Sequence, residues 1–114
     1  MAVALLLRRT HRRATAMMDD ALRPLGVESR HVTVLRVLVD HGPAAQWDLG
    51  AATGSDKTTI MRIVDELVRR GLAVRRPIPG DRRARAVKVT PQGAGVADAA
   101  HAAAGQLAER RSPN

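Results

Sequence analysis

Apolar residues recur along this chain in two rhythms, and the change between them falls near Gly71. Before it they come three and four positions apart, the spacing of one helix face; from Leu72 to Thr90 they alternate with polar residues, the spacing of one strand face. The first helical stretch runs from Leu5 to Leu22, free of Pro and Gly, with Leu6, Leu7, Ala14, Met17, Met18, Ala21 and Leu22 on its apolar side; Pro24 and Gly26 end it. A second helix is expected behind Ser29 as N-cap, with Val32, Leu35, Leu38 and Val39 as its buried stripe and Gly42-Pro43 closing it. Gln46 to Thr53 is too short for more than two turns, and Gly54-Ser55 follows as a turn. Then comes the strongest pattern in the chain. Ser55 or Asp56 caps it, Ile60, Ile63, Val64, Leu67 and Val68 form its stripe, and Arg69-Arg70 sit at its negative dipole end before Gly71.

The alternating segments Leu72 to Arg76 and Ala84 to Thr90 predict two antiparallel strands around a seven-residue loop, Pro77 to Arg83. Thr90-Pro91 opens a last, alanine-rich helix that reaches Ala108, with Arg111 to Asn114 expected to fray. The predicted fold is mainly α with a small antiparallel β-hairpin wing, a winged helix-turn-helix forming one domain over residues 1–114.

A short helix, a glycine-containing turn and a second helix with one apolar stripe let the second helix rest on the domain while its other face enters a major groove. Here that outer face carries Ser55, Thr58, Thr59, Arg62, Asp65, Glu66 and Arg69. Hydroxyls, Lys57 and Arg62 occupy the N-terminal half, where the helix dipole also favours phosphate; the two acids are expected on the half that recedes from DNA. Arg62 has the geometry for guanine, and Thr58 and Thr59 for base edges, a thymine methyl or a phosphate. The hairpin adds a second signal. Between Arg75 and Lys88 lie six cations, Arg75, Arg76, Arg82, Arg83, Arg85 and Lys88, against one anion, Asp81, which suits a phosphate backbone or a narrow minor groove.

Composition agrees and narrows the partner. Lys and Arg number 19 against 11 Asp and Glu, a net charge of +8 that favours a polyanion. With no Phe or Tyr and a single Trp, there is no stacking platform for unpaired bases, so duplex is favoured over single strands. The chain has no Cys, which removes disulfides, thiolate metal sites and thiol sensing, and fits a cytoplasmic protein. Ala2 to Leu7 is too short to span a bilayer and its arginines follow rather than precede it, so neither a membrane segment nor a secretion signal is read.

The run from Val32 to Thr90 resembles the multiple-antibiotic-resistance-regulator (MarR) family of winged-helix transcription factors. Asp56-Lys57-Thr58-Thr59, Val64 through Leu72, and Pro79-Gly80-Asp81-Arg82-Arg83-Ala84 carry the resemblance. It implies a homodimer on a pseudo-palindromic operator, usually a repressor, often released by a small aromatic or anionic effector. It further implies Arg83 in the minor groove with Asp81 orienting the wing arginines, residues 1–25 and 91–114 as dimerisation helices, and 30–90 as the DNA-binding lobe. Because such dimers use the first helix and the last two, and one helix follows the wing here, a weaker dimer is expected, held by Leu5, Leu6 and Leu7 and by a seam of Ala94, Ala97, His101, Ala104 and Leu107.

The expected DNA contacts are Ser55, Lys57, Thr58, Thr59, Arg62, Arg75, Arg82, Arg83 and Arg85. His11, Met18 and His31 are the residues suggested for an effector, with Arg12 and Arg30 beside the two histidines. No pair of histidines has helical metal-site spacing, and no nucleophile, base and orienter set or phosphate-binding glycine loop is visible, so no metal, no cofactor and no enzyme activity are expected. Trp47 reads as a packing anchor at the start of its helix, or as a contact to the DNA backbone through its indole N–H. Two other functions use the same fold. A winged-helix protein-interaction module would expose an apolar patch on the recognition helix, and an architectural duplex binder would keep the basic wing but not need Thr58 or Arg62.

Overall fold

The computed structural model describes residues 16–111, with side chains throughout except at 82–84 and 110–111. Residues 16–22 form helix α1, followed by a 3-10 turn, Arg23–Leu25. Then come α2 (Ser29–His41), a short strand β1 (Ala44–Ala45), α3 (Gln46–Thr53), α4 (Lys57–Arg69), β2 (Ala73–Ile78), β3 (Asp81–Val89) and α5 (Pro91–Arg111). The fold is mainly α with a small antiparallel sheet, in the winged helix-turn-helix arrangement.

Two elements differ from the sequence reading. Ala44 and Ala45 pair with Val87 and Ala86, so the wing is a three-stranded sheet in the order β1-β3-β2. A two-residue strand has no period to detect. The hairpin loop is also shorter than seven residues: Ile78 pairs with Asp81 across Pro79-Gly80, and a register irregularity at Pro77/Ile78 lets the strands continue through residues that read as loop. At the far end α5 runs to Arg111 rather than stopping at Ala108.

The core gathers the apolar stripe of every element: Leu22 from α1, Val34, Leu35 and Leu38 from α2, Leu49 from α3, Ile60, Ile63, Val64 and Leu67 from α4, Val87 from β3, and Ala97 and Ala100 from α5. The first five leucines and isoleucines of that set are essentially inaccessible, so each contributes on the order of 1.5–3 kcal/mol by burial. Ala97 and Ala100 face α2 of their own chain, and the Arg36 guanidinium donates to the Ala97 carbonyl at 3.2 Å. Ala97 is thereby taken out of the expected intersubunit seam. Leu5, Leu6, Leu7 and His11 lie outside the described residues.

Helix α2 begins one residue earlier than expected. Glu28 is its N-cap, and Ser29 stands inside the helix because Asp19 of α1 accepts from both the Ser29 N–H, at 2.7 Å, and its hydroxyl, at 2.8 Å. Glu28 and His31 close a capping box at this end, and the acid ten positions away adds two bonds that the sequence around Ser29 could not reveal.

Helix α5 is lashed to the end of α4. The Thr90 hydroxyl donates to the Gly71 carbonyl at 2.7 Å and accepts from the Gly93 N–H at 3.0 Å, while the Thr90 N–H donates to Leu72 O. Gly93 sits so close to this crossing that a Cβ there would lie 2.0 Å from the Leu72 carbonyl oxygen. Gly95, two residues on, faces open space. Gly93→Ala should therefore destabilise by about 3 kcal/mol or more, because backbone must move, whereas Gly95→Ala should stabilise by about 0.5–1 kcal/mol. Urea unfolding of the two variants checks this, and equal effects would contradict the crossing as described.

Candidate nucleic-acid interface

Helices α3 and α4 form the helix-turn-helix. Gly50 lies under the turn, where a Cβ would come within 3.1 Å of the Ser55 carbonyl oxygen, so a side chain there would require the turn to give by a few tenths of an ångström. The turn is closed by Ser55 N–H to Gly50 O, at 2.9 Å, and by the Thr53 hydroxyl, which bonds Leu49 O and the Ser55 hydroxyl. Of the two caps the sequence allowed for α4, Asp56 is the one used: its carboxylate accepts from the Thr59 N–H at 2.7 Å. That bond, with Arg62 nearby as a smaller influence, holds the Asp56 carboxyl below the ordinary aspartate range.

With Ile60, Ile63, Val64 and Leu67 buried, Lys57, Thr58, Met61, Arg62, Asp65 and Arg69 are the exposed residues of α4. Thr59 and Glu66, expected on the outer face, are half-buried. Met61 was overlooked and is 41% exposed, although its place beside the buried stripe and next to Arg62 was readable. No salt bridge is recorded for Lys57 or Arg62 among the described residues, leaving both cations available at the N-terminal half of the helix.

The two acids of α4 are engaged by the protein. Asp65 accepts from Arg75 of β2, whose guanidinium also reaches Gln46 Oε1 at 3.5 Å. Arg75 is opposite Val87 in the sheet register, hence on the sheet's inner side, and its charge is met by Asp65. This removes it from the freely presented cations of the wing. Arg76, opposite Ala86, is exposed, as are Arg85 and Lys88. The backbone carries 82 and 83 just past the Pro79-Gly80 turn, at the wing tip.

Glu66 accepts from His31, a fully buried side chain of α2. The tautomer follows from the other nitrogen. His31 Nδ1 accepts from the Glu28 N–H at 3.0 Å, so Nε2 carries the proton and donates it to Glu66. His31 is thus fixed between the cap of α2 and helix α4, and does not line the cavity that holds Met18. Arg30 adds a longer contact to Glu66 at 3.4 Å. The hydrogen bond from His31 holds the Glu66 carboxyl below its ordinary range against the opposing effect of burial, with Arg30 assisting.

A cavity of about 410 Å³ opens between α1, α2 and α5, walled by Met18, Leu22, Val32, Val37, Ala97, Ala100 and Ala104, with Ser29, Thr33, Arg36 and His101 as its polar members. Of the residues suggested for an effector, Met18 is in this wall. Trp47, read first as a packing anchor, is instead 67% exposed. It stands two positions before the buried Leu49 on a helix, which turns it to the opposite side. Among the described residues no cluster able to hold a metal ion occurs, and no helix is long and apolar enough to cross a membrane.

Comparison with known proteins matches residues 25–84 to the sequence model of the MarR family. The HTH-type transcriptional repressor NicR of Pseudomonas putida is 38% identical over 104 residues, which are 91% of this chain and 66% of that repressor; the chain thus spans just under two thirds of its relative. CouR of Rhodococcus jostii RHA1, solved with p-coumaroyl-CoA bound, superposes with a TM-score of 0.83 at 31% identity, covering 96% of this chain and 77% of CouR. BpsR of Bordetella bronchiseptica, whose structure addresses regulation of DNA binding by 6-hydroxynicotinic acid, gives 0.85 at 27% identity, over 96% and 83%.

The state of Glu66 sets a pH dependence. A carboxyl held low in the folded chain contributes stability above the ordinary glutamate range and loses it as pH falls through the folded value. As pH falls from about 5 through the folded value, the wild type should therefore lose more stability than Glu66→Gln, and the two curves should converge in acid. Parallel curves from urea titrations would show that Glu66 carries no such linkage.

Proposed function

Because the chain belongs to the MarR family, we propose that it is a sequence-specific duplex-DNA-binding transcriptional regulator, a repressor released by a small molecule, acting in the cytoplasm and without enzyme activity of its own. The observation that carries this reading is the exposed N-terminal half of α4, with Lys57, Thr58 and Arg62 free beside a wing rich in arginine. Apart from Met61 the exposed residues of that half are polar, with Lys57 and Arg62 as its cations, which favours DNA over a protein-docking surface. Residues 30–90 are assigned to DNA binding, and 1–25 with 91–114 to a homodimer that places two α4 helices on the halves of a pseudo-palindrome, since a single short helix reads too few base pairs.

Effector control has a physical route. The cavity beside α2 is lined by Ser29, Val32, Thr33, Arg36 and Val37, while His31 on the other side of the same helix holds Glu66 of α4. A ligand that shifts α2 relative to α4 would strain that bond and so disturb the seating of the reading helix. The acyl-CoA thioester bound to CouR and the aromatic acid that regulates BpsR suggest an aromatic ligand carrying negative charge, with Arg36, which here pairs with Asp40 and Asp98, as the cation it would recruit.

Selection of bound sites from a random duplex library tests the proposal: an inverted repeat should be enriched. On that repeat Arg62→Ala should cost about 1–3 kcal/mol and relax one position of each half-site. Binding without any enriched sequence would instead favour an architectural role.

A further inference from the structure

The one aromatic side chain of this chain is placed outside the core, and its surroundings say what it meets. Trp47 is 67% exposed, although an indole is the largest apolar group the chain possesses and the interior is otherwise built from Leu, Ile, Val and Ala. A Trp left outside forgoes the most favourable burial available, and its amphipathic ring suits a surface that is apolar on one side and polar on the other. Leu49 and Gly50 fix its direction. They bury the inner side of α3 against α4, which turns Trp47 outward into a groove of about 390 Å³ shared with Gln46, Ala51, Ser55, Lys57 and, at its floor, Ile60.

The groove has one apolar wall, one indole N–H, one cation and two neutral polar groups. Lys57 is exposed and has no recorded salt bridge among the described residues. A sugar-phosphate strand fits this mixture of apolar wall, N–H donor and cation: the ring packs on deoxyribose, the N–H donates to one phosphate, and Lys57 meets another. The first helix of a helix-turn-helix crosses the DNA backbone, and Trp47 lies at the start of that helix, beside the end of α4 that enters the groove.

We infer that Trp47 is a DNA-backbone contact, an anchor that docks α3 on the strand flanking the bases read by α4. This rests on the duplex-binding reading above. It assigns Trp47 to general affinity and leaves sequence preference to α4, since a phosphate contact carries no base identity.

The chain contains one Trp and no Tyr, so its intrinsic emission reports on Trp47 alone. Acrylamide quenching of the full chain is measured with and without a fluorescein-labelled random-sequence duplex, whose anisotropy independently reports complex formation. The duplex should shield Trp47 strongly. Trp47→Ala should weaken binding about tenfold on random and selected duplexes alike, with Trp47→Phe, which keeps a ring and lacks the N–H, in between. A duplex that binds while Trp47 stays as accessible as before overturns this assignment alone. Failure of every duplex to bind overturns it together with the reading beneath it. Shielding that grows with protein concentration and without DNA also overturns it, in favour of a protein contact.

Discussion

Helix α4 has to satisfy three neighbours at once, and the rest of the structure follows from how it does so. Its stripe of Ile60, Ile63, Val64 and Leu67 fixes its depth in the core, but an apolar stripe resists sliding and rolling poorly. Two carboxylates supply the missing direction. Glu66 meets His31 on the α2 side and Asp65 meets Arg75 on the wing side, so the helix is held from both flanks while its N-terminal half stays clear. The same pairs resolve an electrostatic difficulty, because two unpaired acids on a DNA-facing helix would oppose a polyanion and here each has a positive or hydrogen-donating partner within the protein.

Much of this was legible in the chain, and the part that was not has a common cause. The stripe of α4, the Gly54-Ser55 turn, the capping Asp56 and the alternating strands are local features, set by residues within a few positions of one another. The bonds from Ser29 to Asp19, the Glu66 to His31 bond and the Arg75 to Asp65 pair join residues ten or more positions apart, and no periodicity encodes them. Arg75 shows the consequence. Counted along the chain it is one wing cation among six, whereas the sheet register turns it inward and makes it a brace. Trp47 illustrates the opposite case, since its spacing from Leu49 already placed it on the outer side of a short helix and size alone suggested burial.

The arrangement also gives the proposed effector a route through α2. It contributes one side to the 410 Å³ cavity and another to the core, and its His31 is the only buried charged or polar side chain among the described residues. Small residues of α5 such as Ala97 and Ala100 let that helix lie close against α2, so the cavity wall and the support of the reading helix belong to one rigid element. Movement there has few ways to be absorbed before it reaches Glu66.

The central claim is that the acids of α4 brace the reader instead of facing the DNA, and a double-mutant cycle on Asp65 and Arg75 examines it most directly. Affinity for the selected duplex is measured for Asp65→Ala, Arg75→Ala and the pair. If Arg75 acts through Asp65, its removal matters less once Asp65 is gone, and the two effects should couple by about 0.5–1 kcal/mol or more. Strict additivity, with Arg75→Ala costing the same affinity in either background, would mean that Arg75 touches DNA on its own account and that the brace does not exist.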